Sequence, residues 1–309
     1  MLDIKLLKRE EIETPKWNGC VHYSANSRVY GYSWYLDNVA DDWWGLVEGD
    51  YESVMPLVWN DKMLKIKQIY QPFLCQQLGL FSINVCSKPR IEAFLNAIPA
   101  EFRFVDTQLN FLNTDIAEFK TWKIEQRPNF VLDLKRPYEE IQKAYSQNLR
   151  RILKKIEPNS LYATTDLKPE LFVETAQQAH KNQKIALPSA FYHTALRVIY
   201  NCLHRGQGAI FAVYDAQQQL CAAAFIVFDG VRVLNLINFS TEKGHSLNAM
   251  HFLIDALIQN NANSLKLFDF EGSNIEGVAR FYQSFGAINQ PYLRLKTNNL
   301  PWYLRFLKK

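Results

Sequence analysis

Between residues 43 and 70, and again between 209 and 239, the chain alternates short apolar, β-prone runs with tight turns. In the first stretch, residues 43–48 lead through Gly49-Asp50 into 51–59, and Asn60-Asp61 turns the chain into 64–70. In the second, the runs 209–214, 220–228 and 231–239 are separated by a turn at 215–219 and by Asp229-Gly230. Each meander is followed by a loop and then by apolar residues at helical spacing. These are Ile91, Phe94, Leu95 and Ile98 in one case, and Leu247, Met250, Leu253, Ile254 and Leu257 in the other. One more strand, 102–109 or 265–270, closes each series. Matching pieces lie about 165 residues apart, a spacing that predicts a duplicated domain.

A strand-helix-strand crossover joins parallel neighbours. Each half is therefore expected to hold three antiparallel strands and a fourth parallel to the third, giving an α/β fold with mixed sheets. At 309 residues the chain is too long for a single hydrophobic core, which agrees with two domains. The boundary is placed near Pro137, giving domains 1–136 and 137–309. Further helices are expected at 138–157, stopped by Pro158-Asn159, and at 169–181, 246–260 and 275–285. Residues 130–134 are expected to add a strand to the first half, and 292–295 a closing strand to the second.

Composition narrows the function classes. Hydrophobic residues make up 48% and charged residues 21%, as in an ordered globular protein. A net charge of +4 is too small to mark a nucleic-acid-binding protein by itself. Residues 1–10 lack the apolar core of a signal peptide, and no apolar run approaches the length of a membrane span. Five cysteines without CxxC spacing complete the expectation of a cytoplasmic protein. The six histidines are scattered, which argues against a metal site.

Ligands of open sheets favour the carboxyl ends of parallel strands. In the second half these ends fall at Asn238-Phe239-Ser240 and at Asp269-Phe270-Glu271. A helix starting near Ser246 would offer unpaired N–H groups to an anion there. Phe239, Ser240, Lys243, Gly244, His245 and Ser246 are thus the candidate cofactor-binding residues. Asp269 and Glu271, on one face by strand alternation, are candidates for general base or for positioning an amine. The alternative is a helix cap and an ion pair. Tyr282 can protonate a leaving group, or else pack in the core with Phe281 and Phe285. Arg150 and Arg151, with Lys154 and Lys155, form i,i+4 basic pairs on one helix, suited to phosphates or to a solvated face. In the first half, Tyr70, Gln76 and Gln77 occupy the equivalent strand-end loop, where amides beside rings suit a sugar or peptide substrate.

The order of these elements resembles the GNAT fold, and its duplication resembles the Fem-type (FemABX) peptidyltransferases. The residues that carry the resemblance are Asn148-Leu-Arg-Arg-Ile-Leu-Lys-Lys155, Phe268-Asp-Phe-Glu-Gly-Ser273 and Phe281-Tyr-Gln-Ser-Phe-Gly-Ala287. The resemblance implies two tandem GNAT-like domains and an N-acyltransferase or aminoacyl/peptidyl transferase. Its donor would be an acyl-CoA or an aminoacyl-tRNA, and its acceptor an amino-bearing small molecule or cell-envelope precursor. Two departures bear on the donor. Thr241-Glu-Lys-Gly244-His-Ser246 keeps one glycine of the phosphate loop usual in acetyl-CoA enzymes. Tyr282 stands where Fem-type enzymes commonly carry lysine. An ordinary acetyl-CoA-dependent GNAT enzyme and a non-catalytic binding protein on a transferase fold remain the alternatives; oligomeric state is left open.

Overall fold

A computed structural model describes residues 2–114, 116, 122–157 and 160–308. The chain divides into two compact units, 1–127 with 291–309, and 128–290. This division falls ahead of Pro137 and returns the segment after Gln290 to the first unit.

In the first unit, β1 (Ile4–Leu7), β2 (Asp42–Glu48) and β3 (Ser53–Asn60) form an antiparallel meander. Helices α1 (Thr14–Tyr23) and α2 (Ser33–Val39) lie between β1 and β2 in sequence. The short β4 (Gln68–Ile69) pairs antiparallel with β3, while β5 (Phe81–Ser82) pairs with the other end of β3. Helix α3 (Lys88–Asn96) crosses over to β6 (Phe104–Gln108), which runs parallel to β4. Ile91, Phe94 and Leu95 of α3 are buried with Trp44, Leu46, Met55 and Leu57, so the apolar stripe of the helix covers one face of the meander. β7 (Lys123–Arg127) follows.

In the second unit, β8 (Phe130–Asp133) is followed by α4 (Tyr138–Lys143), α5 (Gln147–Lys155), β9 (Leu161–Thr164), α6 (Pro169–Asn182) and α7 (Ser189–His204). Strands β10 (Gly208–Asp215), β11 (Leu220–Asp229) and β12 (Arg232–Ser240) form the second meander. A five-residue α8 (Glu242–Ser246) and the longer α9 (Ala249–Asn261) lead to β13 (Leu267–Asp269), parallel to β12. α10 (Glu276–Ser284) and β14 (Ile288–Asn289) end the unit, with sheet order β14-β8-β13-β12-β11-β10-β9. Leu253, Ile254, Leu257 and Ile258 of α9 pack over Ala222, Ala224, Ile226 and Val233 of the sheet. The twice-used plan of meander and crossover is thus present in both units.

Two strands exchange sheets relative to expectation. β8 pairs antiparallel with β13 and β14 in the second sheet. The closing strand β15 (Tyr292–Asn298) lies between β6 and β7 in the first. Strand propensity identifies a strand but not its partner: β8 is a short apolar run and β15 alternates over Leu293 to Lys296, and neither pattern names a sheet. The helix expected across 138–157 is two helices, because Ser146 caps a new start by accepting the Leu149 N–H. Its expected stop at Pro158-Asn159 lies outside the described residues. No helix among the described residues is long and apolar enough to cross a membrane.

Candidate functional site

β12 and β13 pair over three residues only: Arg232 with Leu267, Val233 with Phe268 and Leu234 with Asp269. On its other edge, β12 stays paired with β11 as far as Ser240. The register shifts between Phe225 and Ile226, which face Ile237 and Asn235, so Leu236 is the extra residue of a bulge. Bulges bend and twist a strand, and here the bend follows directly on the last β13 pair. At the parted end lies a cavity of about 380 Å³, bordered by Asn238, Phe239 and Ser240 of β12. Gly244 and His245 of α8, His251 of α9, Phe281 and Tyr282 of α10, and His180 of α6 are also on its wall. An adjoining hollow of about 200 Å³ shares His251 and Phe281 and extends to Asn148 and Ile152 of α5. The segments containing Asn148 and Phe281 therefore meet at one place.

Tyr282 is held by packing. Its ring lies 4.9 Å from that of Phe270 and 5.9 Å from that of Phe130. Burial pushes its phenol well above the usual value, and the charge of Glu271 adds to this, while a hydrogen bond with the Asn238 side chain opposes it. The hydroxyl is therefore protonated at neutral pH. Two imidazoles are held in the opposite sense. His180 is buried with Nδ1 3.0 Å from the Tyr192 hydroxyl, and His251 sits edge-on to Phe281 at 4.9 Å. Burial lowers the pKa of both, so both are neutral proton acceptors near pH 7. Gln183 donates to the Ser240 carbonyl at 3.2 Å and lies 3.2 Å from His245 Nε2, tying α6 to the strand end.

Several expected site residues have other work. Asp269 is fully buried and does not border the cavity. Its Oδ2 takes Arg232 Nη1 at 2.8 Å and its Oδ1 accepts the Glu271 N–H at 2.9 Å, so the ion-pair reading replaces that of general base. Arg232 in turn donates to Gln290 at 2.9 Å. Glu271 is half-buried in left-handed backbone, φ 61°, beyond the strand end; its charge reaches Tyr282, but it does not line the cavity. Lys243 pairs with Asp215 and donates to Gln219 at 2.9 Å, away from the cavity.

The expected anion cradle is closed from within. Gly244 N–H donates to the Thr241 hydroxyl at 3.0 Å, and His245 N–H to the Thr241 carbonyl at 2.9 Å. Gly244 is required by contact, since a Cβ there would stand 1.8 Å from the Cys221 carbonyl oxygen. Ser246 is exposed, and its hydroxyl donates to the Lys243 carbonyl at 2.8 Å. Of the six proposed cofactor contacts, Phe239, Ser240, Gly244 and His245 border the cavity.

The first-unit candidates form local bonds. The Tyr70 hydroxyl donates to Asp41 at 3.1 Å, and burial pushes its pKa up to about 12. Gln77 is buried, donates to Gln76 at 3.0 Å and accepts the Phe111 N–H at 3.0 Å. In the second unit, Arg150 and Arg151 are exposed on α5. Arg150 and Lys154 flank a separate pocket of about 280 Å³ that contains Asp255. Sequence reasoning missed His180, Gln183 and His251. His180 and Gln183 lie in the polar end of α6 and its cap, and His251 on the apolar helix α9, and no motif or spacing sets any of them apart from its neighbours.

No known protein family matches the chain in sequence, and no curated protein does either. Solved structures match it in fold. FemX superimposes with a TM-score of 0.72 over 99% of this chain and 100% of its own, at 10% identity. L-PGS from Bacillus licheniformis gives 0.56 over 96% and 95%, at 9% identity. The C-terminal domain of a putative lysylphosphatidylglycerol synthetase from Agrobacterium fabrum gives 0.54 over 95% and 94%, at 10% identity. At these identities the likeness is one of fold, and the fold of this chain is that of two tandem GNAT-like α/β domains.

Proposed function

We propose that this protein is an acyl or aminoacyl transferase that carries its donor at the parted end of β12 and β13 and delivers the acyl group to an amine. The observation that carries this reading is the parting itself, with a cavity at the carboxyl end of β12, beyond its last pair with parallel β13, and Tyr282 on the cavity wall. The amine nitrogen attacks the donor carbonyl and forms the new amide bond. The bond to the leaving oxygen or sulfur breaks, and Tyr282 supplies the proton that the leaving group needs. The proton shed by the amine passes to a neutral imidazole, His251 or His180. Placement of both reactants in one cavity supplies much of the acceleration in such transfers.

The closed Thr241 turn favours an aminoacyl ester over an acyl-CoA as donor, because the N–H groups of Gly244 and His245 are already bonded. One similar structure is named for a lysylphosphatidylglycerol synthetase, and transfer of an aminoacyl group to an envelope component is the corresponding expectation here. The test is a panel of charged tRNAs and acyl-CoAs, each with amine acceptors of envelope-precursor and lipid type, read by mass spectrometry. We expect transfer from an aminoacyl ester, with Tyr282→Phe lowering kcat by about 10²-fold or more. Failure of every donor to react or to bind would favour a binding protein on this fold.

A further inference from the structure

The first sheet ends in a cluster of exposed rings set among cations. The Arg103 N–H donates to the Lys67 carbonyl at 3.1 Å, and the Asn299 N–H to the Arg103 carbonyl at 2.7 Å. The β3–β4 turn, the start of β6 and the end of β15 therefore lie side by side. Beyond β15 the chain forms a 3-10 segment, Trp302–Lys308. Buried Leu300 anchors it, its carbonyl accepting from Arg305 Nε at 3.0 Å. Trp302 is 82% exposed, Tyr303 56% and Phe306 65%, and Leu64 in the neighbouring turn is 66% exposed. Large apolar side chains gathered in this way mark an interaction surface.

The charges say what it meets. The acidic residues of the turn and the preceding loop are each paired: Asp61 with Lys65 at 3.6 Å and Glu101 with Lys67 at 2.7 Å. Arg103 and Arg305 are exposed and have no acidic partner among the described residues, and Lys308 and Lys309 follow in sequence. A symmetric second copy would set these cations against themselves, which opposes self-association. Trp and Tyr favour the boundary between headgroups and acyl chains, and basic residues beside them favour anionic lipid.

We propose that this end of the first unit is a docking surface for an anionic lipid bilayer, with Trp302, Tyr303, Phe306 and Leu64 entering the interface and Arg103 and Arg305 meeting the headgroups. It stands independently of the transfer reaction. The test is flotation of the full chain with vesicles of phosphatidylcholine, alone or mixed equally with phosphatidylglycerol, at low and high salt.

Binding to the mixed vesicles that weakens in high salt is expected. The double substitution Trp302→Ser/Phe306→Ser should lower partition at least about tenfold, and Arg103→Glu/Arg305→Glu should remove the preference for anionic vesicles. The proposal is overturned by absence of flotation with the mixed vesicles, or by flotation that neither double substitution changes. A concentration-dependent dimer that dissolves on Trp302→Ser/Phe306→Ser would also overturn it, assigning the surface to a second copy.

Discussion

Asp269 and Arg232 illustrate how much a single buried pair decides. Removing one partner leaves the other charge buried and uncompensated, at a cost of about 3–5 kcal/mol, whereas replacing both by apolar groups is often near neutral. Asp269→Ala is expected to lower stability by that amount in urea unfolding, and Arg232→Met/Asp269→Leu to recover most of it. If Asp269→Ala unfolds like the parent, the pair is not structural. The imidazoles give a prediction in pH. Because burial lowers the folded-state pKa of His180 and His251, the unfolded chain binds their protons first as pH falls. Stability should be fully present above about 6.5 and should decline below it until the depressed folded values are passed. His251→Phe, which keeps an aromatic ring edge-on to Phe281, should flatten part of that decline, as thermal melts across pH would show. Residues at this scale were the hardest to read from sequence. A strand-end aspartate looks the same whether it abstracts a proton or neutralises an arginine 37 positions away.

Elements were more legible than their joins. Apolar spacing located the crossover helix of the second unit, but the start expected at Ser246 is the last residue of α8, and α9 begins at Ala249, after Asn248. That residue is left-handed, φ 57°, and borders the cavity. Asparagine adopts this conformation more readily than other residues with a Cβ, and a β-branched residue pays about 1–2 kcal/mol there. Asn248→Val is therefore expected to destabilise by that amount and to reshape the cavity wall, while Asn248→Gly stays near neutral; comparison of their denaturation midpoints decides this. The expected helix start at Ser246 falls at the end of α8, where Thr241 already takes the N–H groups of Gly244 and His245. Alternation and turn residues found β12 and β13, yet nothing local disclosed that their pairing would last only three residues, since the bulge at Leu236 depends on how β11 lies against β12.

For the molecule as a whole, repetition was the strongest signal, and both meander-crossover series appear where the sequence put them. Partner choice was invisible, which is why β8 and β15 were assigned to each other's sheets. The second unit begins and ends at neighbouring points: Asn129 N–H donates to Asn289 at 3.2 Å and Gln290 N–H to the Asn129 carbonyl at 2.7 Å. Residues 128–290 expressed alone are expected to unfold in one cooperative transition, read by circular dichroism. Truncation after Gln290 should instead damage the first sheet, by removing the strand between β6 and β7. During synthesis the inserted unit is complete while that gap is still open. The ribosome thus delivers the downstream domain in finished form first, and the upstream one must wait, with an unzipped sheet, for Tyr292–Asn298 to emerge.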